Sequence, residues 1–556
     1  MPSCIARVVF GIPVDTPFDY SVPESYRACV CPGVRVLVSF AGRKKVGIVV
    51  SLAGSSDFPE LKPLLAVLDE DTSLPPHALR LAEVFALRFG CSLGEALVLF
   101  LPGYWRLPRK RLDSAAALSV PRVPKPRVAR GAVELYFDDR LRKCWPVLLE
   151  KIGQTLQAGQ GVLVLVPDAG YLADTLGHLR GHGFDPLVLS GGTQKQEAGC
   201  WDELCRGHRR LAVGFISAAL TPVPDLGLIV IVDEESHSYK HDQSPFYHAR
   251  EAVFLRSRLE GCTVAMVSLA PSVEAWHEAS LPNGRMIRFT DSLAPARLMD
   301  LGNFKMRRGS VLSLPLRITL EKILQAKGRA VLYIQAARGT ASVMQEIKEA
   351  FVHARVAGYD SSSAQWPRSA DIVVATQSLF RFRSTLVCDF SCVLDIDREF
   401  HRLDHRAAHA AFSLIRYLRA MTRTEVLVQT RNAADPTLQL AVADDPLPFY
   451  AGELEQRRET GFPPFQHIVA LVARSADSQL ACDEAKRLYD MLLKDCPAGL
   501  VLMEPQPDRS AVLRGKYRWC VIIQGGALKV LMGHVRLVLR TFRGKKDTVV
   551  TVNVDP

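Results

Sequence analysis

The middle of the chain repeats one pattern: a short, nearly unbroken run of branched aliphatic residues, followed by a stretch whose apolar positions have helical spacing. GVLVLVP (Gly161–Pro167) precedes the amphipathic stretch Ala169–His182. LAVGFIS (Leu211–Ser217), LGLIVIVDEE (Leu226–Glu235) and TVAMVS (Thr263–Ser268) follow. After a break near Leu293–Pro315 come AVLYIQ (Ala330–Gln335), DIVVATQ (Asp371–Gln377), CVLDID (Cys392–Asp397) and EVLVQT (Glu425–Thr430). A strand that is apolar at nearly every position has no face left for water, so it must be covered on both sides. Helical crossovers supply that cover in parallel α/β sheets. Two such groups of strands predict two tandem lobes, residues 132–295 and 296–445.

The flanks read differently. Residues 1–105 begin with short β-rich pieces, IARVVFGIP, FDYSVP, VRVLVSFAG and KVGIVVSLA, punctuated by Pro and Gly, and predict a small sheet or barrel. A helical pattern over His77–Pro102 follows and stops at the proline. Residues 106–131 carry eight basic residues against a single acid, Asp113, and four prolines, the composition of an extended linker that either stays solvated or adds phosphate contacts. Residues 446–556 open with a polar helix (Phe449–Phe462). They continue through HIVALVARS, a helix in SQLACDEAKRLYDMLLKD, and strands near YRWCVIIQG and DTVVTVNVD, predicting a separate small α/β domain. Several cores are needed for 556 residues, and the four segments outside the linker supply them.

Lys and Arg outnumber Asp and Glu by 69 to 58, a net charge of +11, which favours a polyanionic partner over an acidic surface function. The first residues lack a basic run leading into a long apolar one, and no run of membrane-spanning length occurs later. The expectation is a cytoplasmic, nucleoid-associated protein with no membrane partner. Its thirteen cysteines would be reduced there, and neither Cys29/Cys31 nor Cys388/Cys392 has a second Cys/His pair to complete a zinc site; most of the thirteen read as small core residues.

The strand LIVIVDEE ends in Asp233, Glu234 and Glu235. Carboxylates in that position hold magnesium and orient water in nucleotide-driven motors, or else they simply line a solvated turn. The first reading needs a Gly-rich loop with Lys and Ser/Thr to cradle the phosphates, and no Gly-Lys-Ser or Gly-Lys-Thr occurs in the chain. Where the first strand of the first lobe would deliver that loop, the sequence is AVELYFDDRLRKCW (Ala132–Trp145), and Asp138 and Asp139 would repel a triphosphate.

Beyond these readings, Asp225–Glu251 (DLGLIVIVDEESHSYKHDQSPFYHARE) resembles the replication restart helicases of the PriA (primosomal protein N′) family. TPFDYSVP, PGVRVLVSFAGRKKVGIVVSL and ELKPLLAVLDE are similar to that family's domain for the 3′ end of DNA, and GFPPF, LRGKYRWCVIIQ and the final VDP to its last domain. The resemblance implies RecA-like (P-loop-helicase-like) lobes inside a multidomain α/β chain with a β-rich first domain and a small α/β last one.

The departures from the family lie at its motor elements. Its winged helix would fall where only the basic linker stands, and its segment binding two zinc ions would interrupt Tyr333–Ile347. Ser236 replaces the His that couples ATP to DNA, VSLAPS stands for the Ser-Ala-Thr motif, and FSLIRYLRAMTRTEV keeps Arg416, Arg419 and Arg423 without the glycines of an arginine-finger segment. The family uses ATP, magnesium and zinc; the sequence leads us to expect no cofactor here, with Asp233 and Glu234 vestigial and no catalytic residue.

The resemblance assigns a pocket for the terminal nucleotide of a 3′ strand to Phe18, Asp19, Ala41-Gly42 and Lys62: a ring to stack a base, a carboxylate for a 3′ hydroxyl, a glycine for close approach and a lysine for phosphate. Phe18 as core and Asp19 as a turn residue is the structural alternative. Arg43, Lys44 and Lys45 fall on an adjoining hairpin. In the last domain Arg514, Lys516 and Arg518 interleave with Tyr517 and Trp519, a mixture suited to backbone contact and stacking. Tyr239, Lys240, Tyr247 and Arg250 match the family's loop for single-stranded DNA. The expected function is recognition of forked DNA and the leading-strand 3′ end, promoting reload of the replicative helicase without unwinding. Its partners would be DNA, the primosome and helicase-loading proteins, and single-stranded-DNA-binding protein. A 3′ to 5′ helicase with an unconventional nucleotide site and a protein-interaction scaffold remain the alternatives.

Overall fold

Backbone pairing divides the strands into four sheets in chain order. The computed structural model describes residues 4–69, 73–109, 131–304, 309–335, 339–363, 365–382, 386–400 and 405–556. The first sheet is antiparallel, ordered Phe18–Ser21, Ile5–Val9, Arg43–Ala53, Arg35–Phe40, Ala66–Val67. Val36 and Val38, two apart on strand Arg35–Phe40 and so on one face, are completely buried. The helical pattern expected to run to Pro102 is two helices, Pro76–Phe89 and Leu93–Leu99. Gly90 adopts φ 67° as a left-handed C-cap, and Ser92 and Glu95 form a reciprocal capping box that starts the second helix.

The second sheet has seven parallel strands in the order Gly284–Phe289, Val133–Asp138, Thr263–Ser268, Leu226–Val232, Gly161–Leu165, Leu211–Gly214, Leu187–Val188. Every residue of Gly161–Leu165 and Leu226–Val232 is buried, the outcome their uninterrupted apolar character predicts, and so is every residue of Val133–Asp138 despite Glu134 and Asp138. The third sheet is parallel too, ordered Ala296–Asp300, Thr422–Thr430, Cys388–Val393, Ala330–Tyr333, Ile372–Ala375, Val356–Tyr359. The two edge strands Gly284–Phe289 and Ala296–Asp300 carry Arg285, Arg288 and Arg297, and the aliphatic pattern alone does not reveal them. The expected multidomain α/β class, with a β-rich first domain and two parallel-sheet lobes, is what the chain adopts.

The fourth sheet is antiparallel, ordered Leu500–Leu513, Lys516–Gly525, His467–Ser475, Val549–Val554. Helices Ser478–Leu493 and Leu528–Thr541 pack on Val469, Leu471, Val521 and Ile523. One assignment changes. Helix Pro446–Thr460, expected to open this last domain, packs instead on the lobes: Phe449 stacks on Phe412 at 3.9 Å, and Tyr450 stacks on Trp276 at 4.0 Å. A single hydrophobic cluster takes in Phe137 and Trp276 of the first lobe, Tyr333 and Val426 of the second, and both of these helix aromatics. Most of the basic linker, residues 110–130, lies outside the described residues, as does Arg338 at the expected zinc insertion. Among the described residues no helix is long and apolar enough to cross a membrane.

Candidate nucleic-acid interface

The first sheet presents its basic residues at one hairpin. Strands Arg35–Phe40 and Arg43–Ala53 pair up to Phe40↔Arg43, leaving Ala41 and Gly42 as a two-residue loop with φ 47° and 77°. Positive φ at both positions is the type I′ turn, whose twist matches that of the strands it joins. A Cβ added at Gly42 would meet nothing within 4 Å, so glycine is required there by backbone conformation, and the tip is open to a ligand. Arg43 and Lys44 are exposed at this tip, while Lys45 lays its ammonium over the Phe10 and Phe40 rings at 5.5 and 5.1 Å.

Phe18 joins the same group, with its ring 5.1 Å from Phe40 and 5.6 Å from Phe10. It is half-buried, one face in the core. Asp19, its neighbour on the strand, points to the other face, where Ser56 Oγ donates to it at 2.6 Å and Arg7 lies 3.7 Å away. Lys62 is exposed, and its carbonyl accepts from Ser21 N at 3.0 Å, which fixes it beside the end of strand Phe18–Ser21. The structure therefore gathers Phe18 and Lys45 around one aromatic cluster beside the Gly42 turn, with Lys44 on the opposite face of its strand, and sets the Asp19 carboxylate apart, on the reverse of its own strand.

The last sheet repeats the device. Leu513↔Lys516 closes a second two-residue loop, Arg514–Gly515, with φ 52° and 73°. Residues 509–517 are exposed throughout, so Arg514, Lys516 and Tyr517 stand free at the tip. Arg518 is engaged by Asp508 at 2.7 Å, and Trp519 turns into the core beneath the two helices. Those two candidates are spent on structure.

The loop after the acidic strand also differs from expectation. Tyr239 is completely buried and donates to the Val232 carbonyl at 2.8 Å; Tyr247 packs against Phe85 at 5.2 Å. Arg250 is buried, donating to Glu234 at 3.1 Å and to Ser272 Oγ at 2.8 Å. Neither Tyr239 nor Arg250 has a surface to offer DNA, because the loop folds inward. Lys240 donates to Asn553 at 3.2 Å, and burial, with Arg406 next, brings its ammonium down to about 7. A hub that the sequence does not announce lies beside it. Asp555 accepts from Arg88 at 2.7 Å, His467 at 2.9 Å and Ile468 N at 2.9 Å, and Arg88 also reaches Glu251. Burial works against that carboxylate's charge, but Arg88 and His467 hold it far below the usual carboxylate range. These contacts join the first domain, the first lobe and the last sheet around a cavity of about 910 Å³ lined by Lys240, Arg88, Arg406 and Asp555. Its pairs join residues distant in sequence, among them Lys240 and Glu251 of the Asp225–Glu251 run and Asp555 of the final VDP.

The carboxyl ends of strands Val133–Asp138, Thr263–Ser268 and Leu226–Val232 lie side by side, the edge where open α/β sheets bind nucleotides. Helix Trp145–Gln157 begins there, but Pro146 in its first turn has no amide to donate and Trp145 N donates to the Arg142 carbonyl at 3.4 Å. Asp138 takes the cap amide: Cys144 N donates to one carboxylate oxygen at 2.8 Å, and Arg140 N, in the preceding turn, to the other at 3.0 Å. Glu234 is equally occupied, accepting from Ser272 N at 2.6 Å, Ser272 Oγ at 2.9 Å and Arg250. Burial pushes its carboxyl above the usual range, against the pull of Arg250 and Ser272. Asp233, completely buried with φ 58°, ends the strand. The chain's own carboxylates thus engage the Cys144 and Arg140 amides and the Ser272 donors at this edge.

Residues 7–102 match the model of the PriA 3′DNA-binding domain. Over 653 aligned positions, 99% of each chain, the sequence is 24% identical to the replication restart protein PriA of Treponema pallidum (strain Nichols). It is 22% identical over 99% of each chain to that of Haemophilus influenzae. Among solved structures, RecG bound to a three-way DNA junction superposes with a TM-score of 0.39 at 12% identity, covering 59% of this chain and 44% of that one. The resemblance to the replication restart proteins PriA thus runs the length of the chain, with the family's 3′DNA-binding domain at residues 7–102.

Proposed function

We propose that this chain recognises forked DNA and the 3′ end of the leading strand during replication restart, and promotes reloading of the replicative helicase without unwinding DNA itself. The observation that carries the reading is the pairing of a matched 3′DNA-binding domain with a helix start that offers no phosphate seat: Asp138 takes the Cys144 cap amide, and Pro146 in the first turn has none. Phe18 and the hairpin Arg43–Lys45 would hold the DNA end, with Lys62 and the second tip, Arg514, Lys516 and Tyr517, on the flanking backbone. No nucleotide, magnesium or zinc enters the function. The partners would be fork DNA, the primosome and helicase-loading proteins, and single-stranded-DNA-binding protein, in the cytoplasm on the nucleoid. The test is DNA-stimulated ATP hydrolysis by the purified chain. Background turnover, equal in the Asp233→Ala variant, is expected; hydrolysis lost in that variant would restore the motor reading.

A further inference from the structure

We infer that the two lobes are locked together by an internal ion pair, Asp139–Arg416, in place of the nucleotide that would join a motor's lobes. Arg416, on helix Ala407–Met421 of the second lobe, is completely buried. One guanidinium nitrogen donates to Asp139 of the first lobe at 2.7 Å, Nε donates to the Leu269 carbonyl at 3.2 Å, and the remaining nitrogen pairs with Asp444. Its plane also lies 4.9 Å from the centre of the Phe137 ring. All three of its nitrogens are therefore satisfied, two of them across the cleft. Asp139 is equally committed, accepting a second bond from Asp291 N at 2.9 Å.

The pair does not stand alone. Tyr417 donates to Glu235 at 2.7 Å, Arg140 donates to the Ala420 carbonyl at 3.2 Å, and His409 bonds the Pro271 carbonyl at 2.7 Å, each joining one lobe to the other. The shared hydrophobic cluster continues beneath them. In a motor, an arginine from the second lobe meets a phosphate only while nucleotide is bound, and the cleft opens when it leaves. Here the anion is a side chain and cannot leave. The closed arrangement is therefore permanent, and the lobes form one rigid body rather than a hinge. This goes beyond the fork reading, since the lock stands whether or not the DNA-end site works.

Single-molecule energy transfer between fluorophores at Lys195 and Lys348, exposed on opposite lobes, reads the lock directly. The unmodified chain should give one narrow distance, unchanged by a non-hydrolysable ATP analogue with magnesium and by fork DNA. Asp139→Asn, which keeps the side-chain size but removes the charge, should add a second, longer-distance population, and Arg416→Met should do the same. A distance in the unmodified chain that splits or shifts with nucleotide would overturn the inference, as would a single unaltered distance in both variants. Binding of the 3′ end, measured on the same samples, reports separately on the fork reading.

Discussion

Glu235 sits on the boundary between the lobes, accepting from Tyr417 at 2.7 Å. Burial first, and Glu234 second, push its carboxyl from 4.5 up to about 7. The folded state therefore binds this proton more tightly than the unfolded state, and the stability it contributes is full below pH 4.5 and lost as pH rises through about 7. Denaturation midpoints measured across that window should fall with pH, and Glu235→Gln should flatten the curve; an unchanged slope in the variant would show that another group is responsible. At the surface, Lys44, Lys62 and Lys516 are exposed, whereas Arg518 is held by Asp508. Alanine at any of the three lysines should lower the salt dependence of fork binding by about one unit of log–log slope each. Arg518→Ala should change it less.

Among the elements, helix Pro446–Thr460 shows how tertiary packing overrides a polar sequence. Its charged residues dominate the pattern, yet Phe449 and Tyr450 anchor it between the lobes. Tyr450→Ala should cost about 3–5 kcal/mol, the loss expected for a large buried aromatic, readable as a shift in the urea midpoint. The aliphatic strands were legible because burial on both faces leaves no other composition, and both I′ turns follow a glycine visible in the sequence. The edge strands were not legible, since one side faces solvent and admits Arg285, Arg288 and Arg297. Strand Leu500–Leu513 escaped for a related reason: Pro505 and Pro507 are tolerated only because it lies at a sheet edge. Of the candidate site, the basic tips were readable from local sequence. The inward fold of Tyr239 and Arg250 was not, because their partners Val232, Glu234 and Ser272 are fixed by the packing of separate strands and helices.

Across the whole molecule, the contacts that matter most join residues far apart in sequence, Asp139 to Arg416 and Arg88 to Asp555. They make the first domain, both lobes and the last sheet a single frame, and they place two basic hairpin tips on its surface. On the proposed reading such a frame acts by recognition of a DNA end, through these exposed groups. The most direct measurement is the affinity for a synthetic fork whose leading strand ends at the branch point, against the same fork lacking that strand, with and without ATP and magnesium. Tighter binding to the fork that carries the 3′ end, with no effect of ATP and no strand separation, is expected. Equal affinity for the two forks, or unwinding that depends on ATP, would contradict the fork reading.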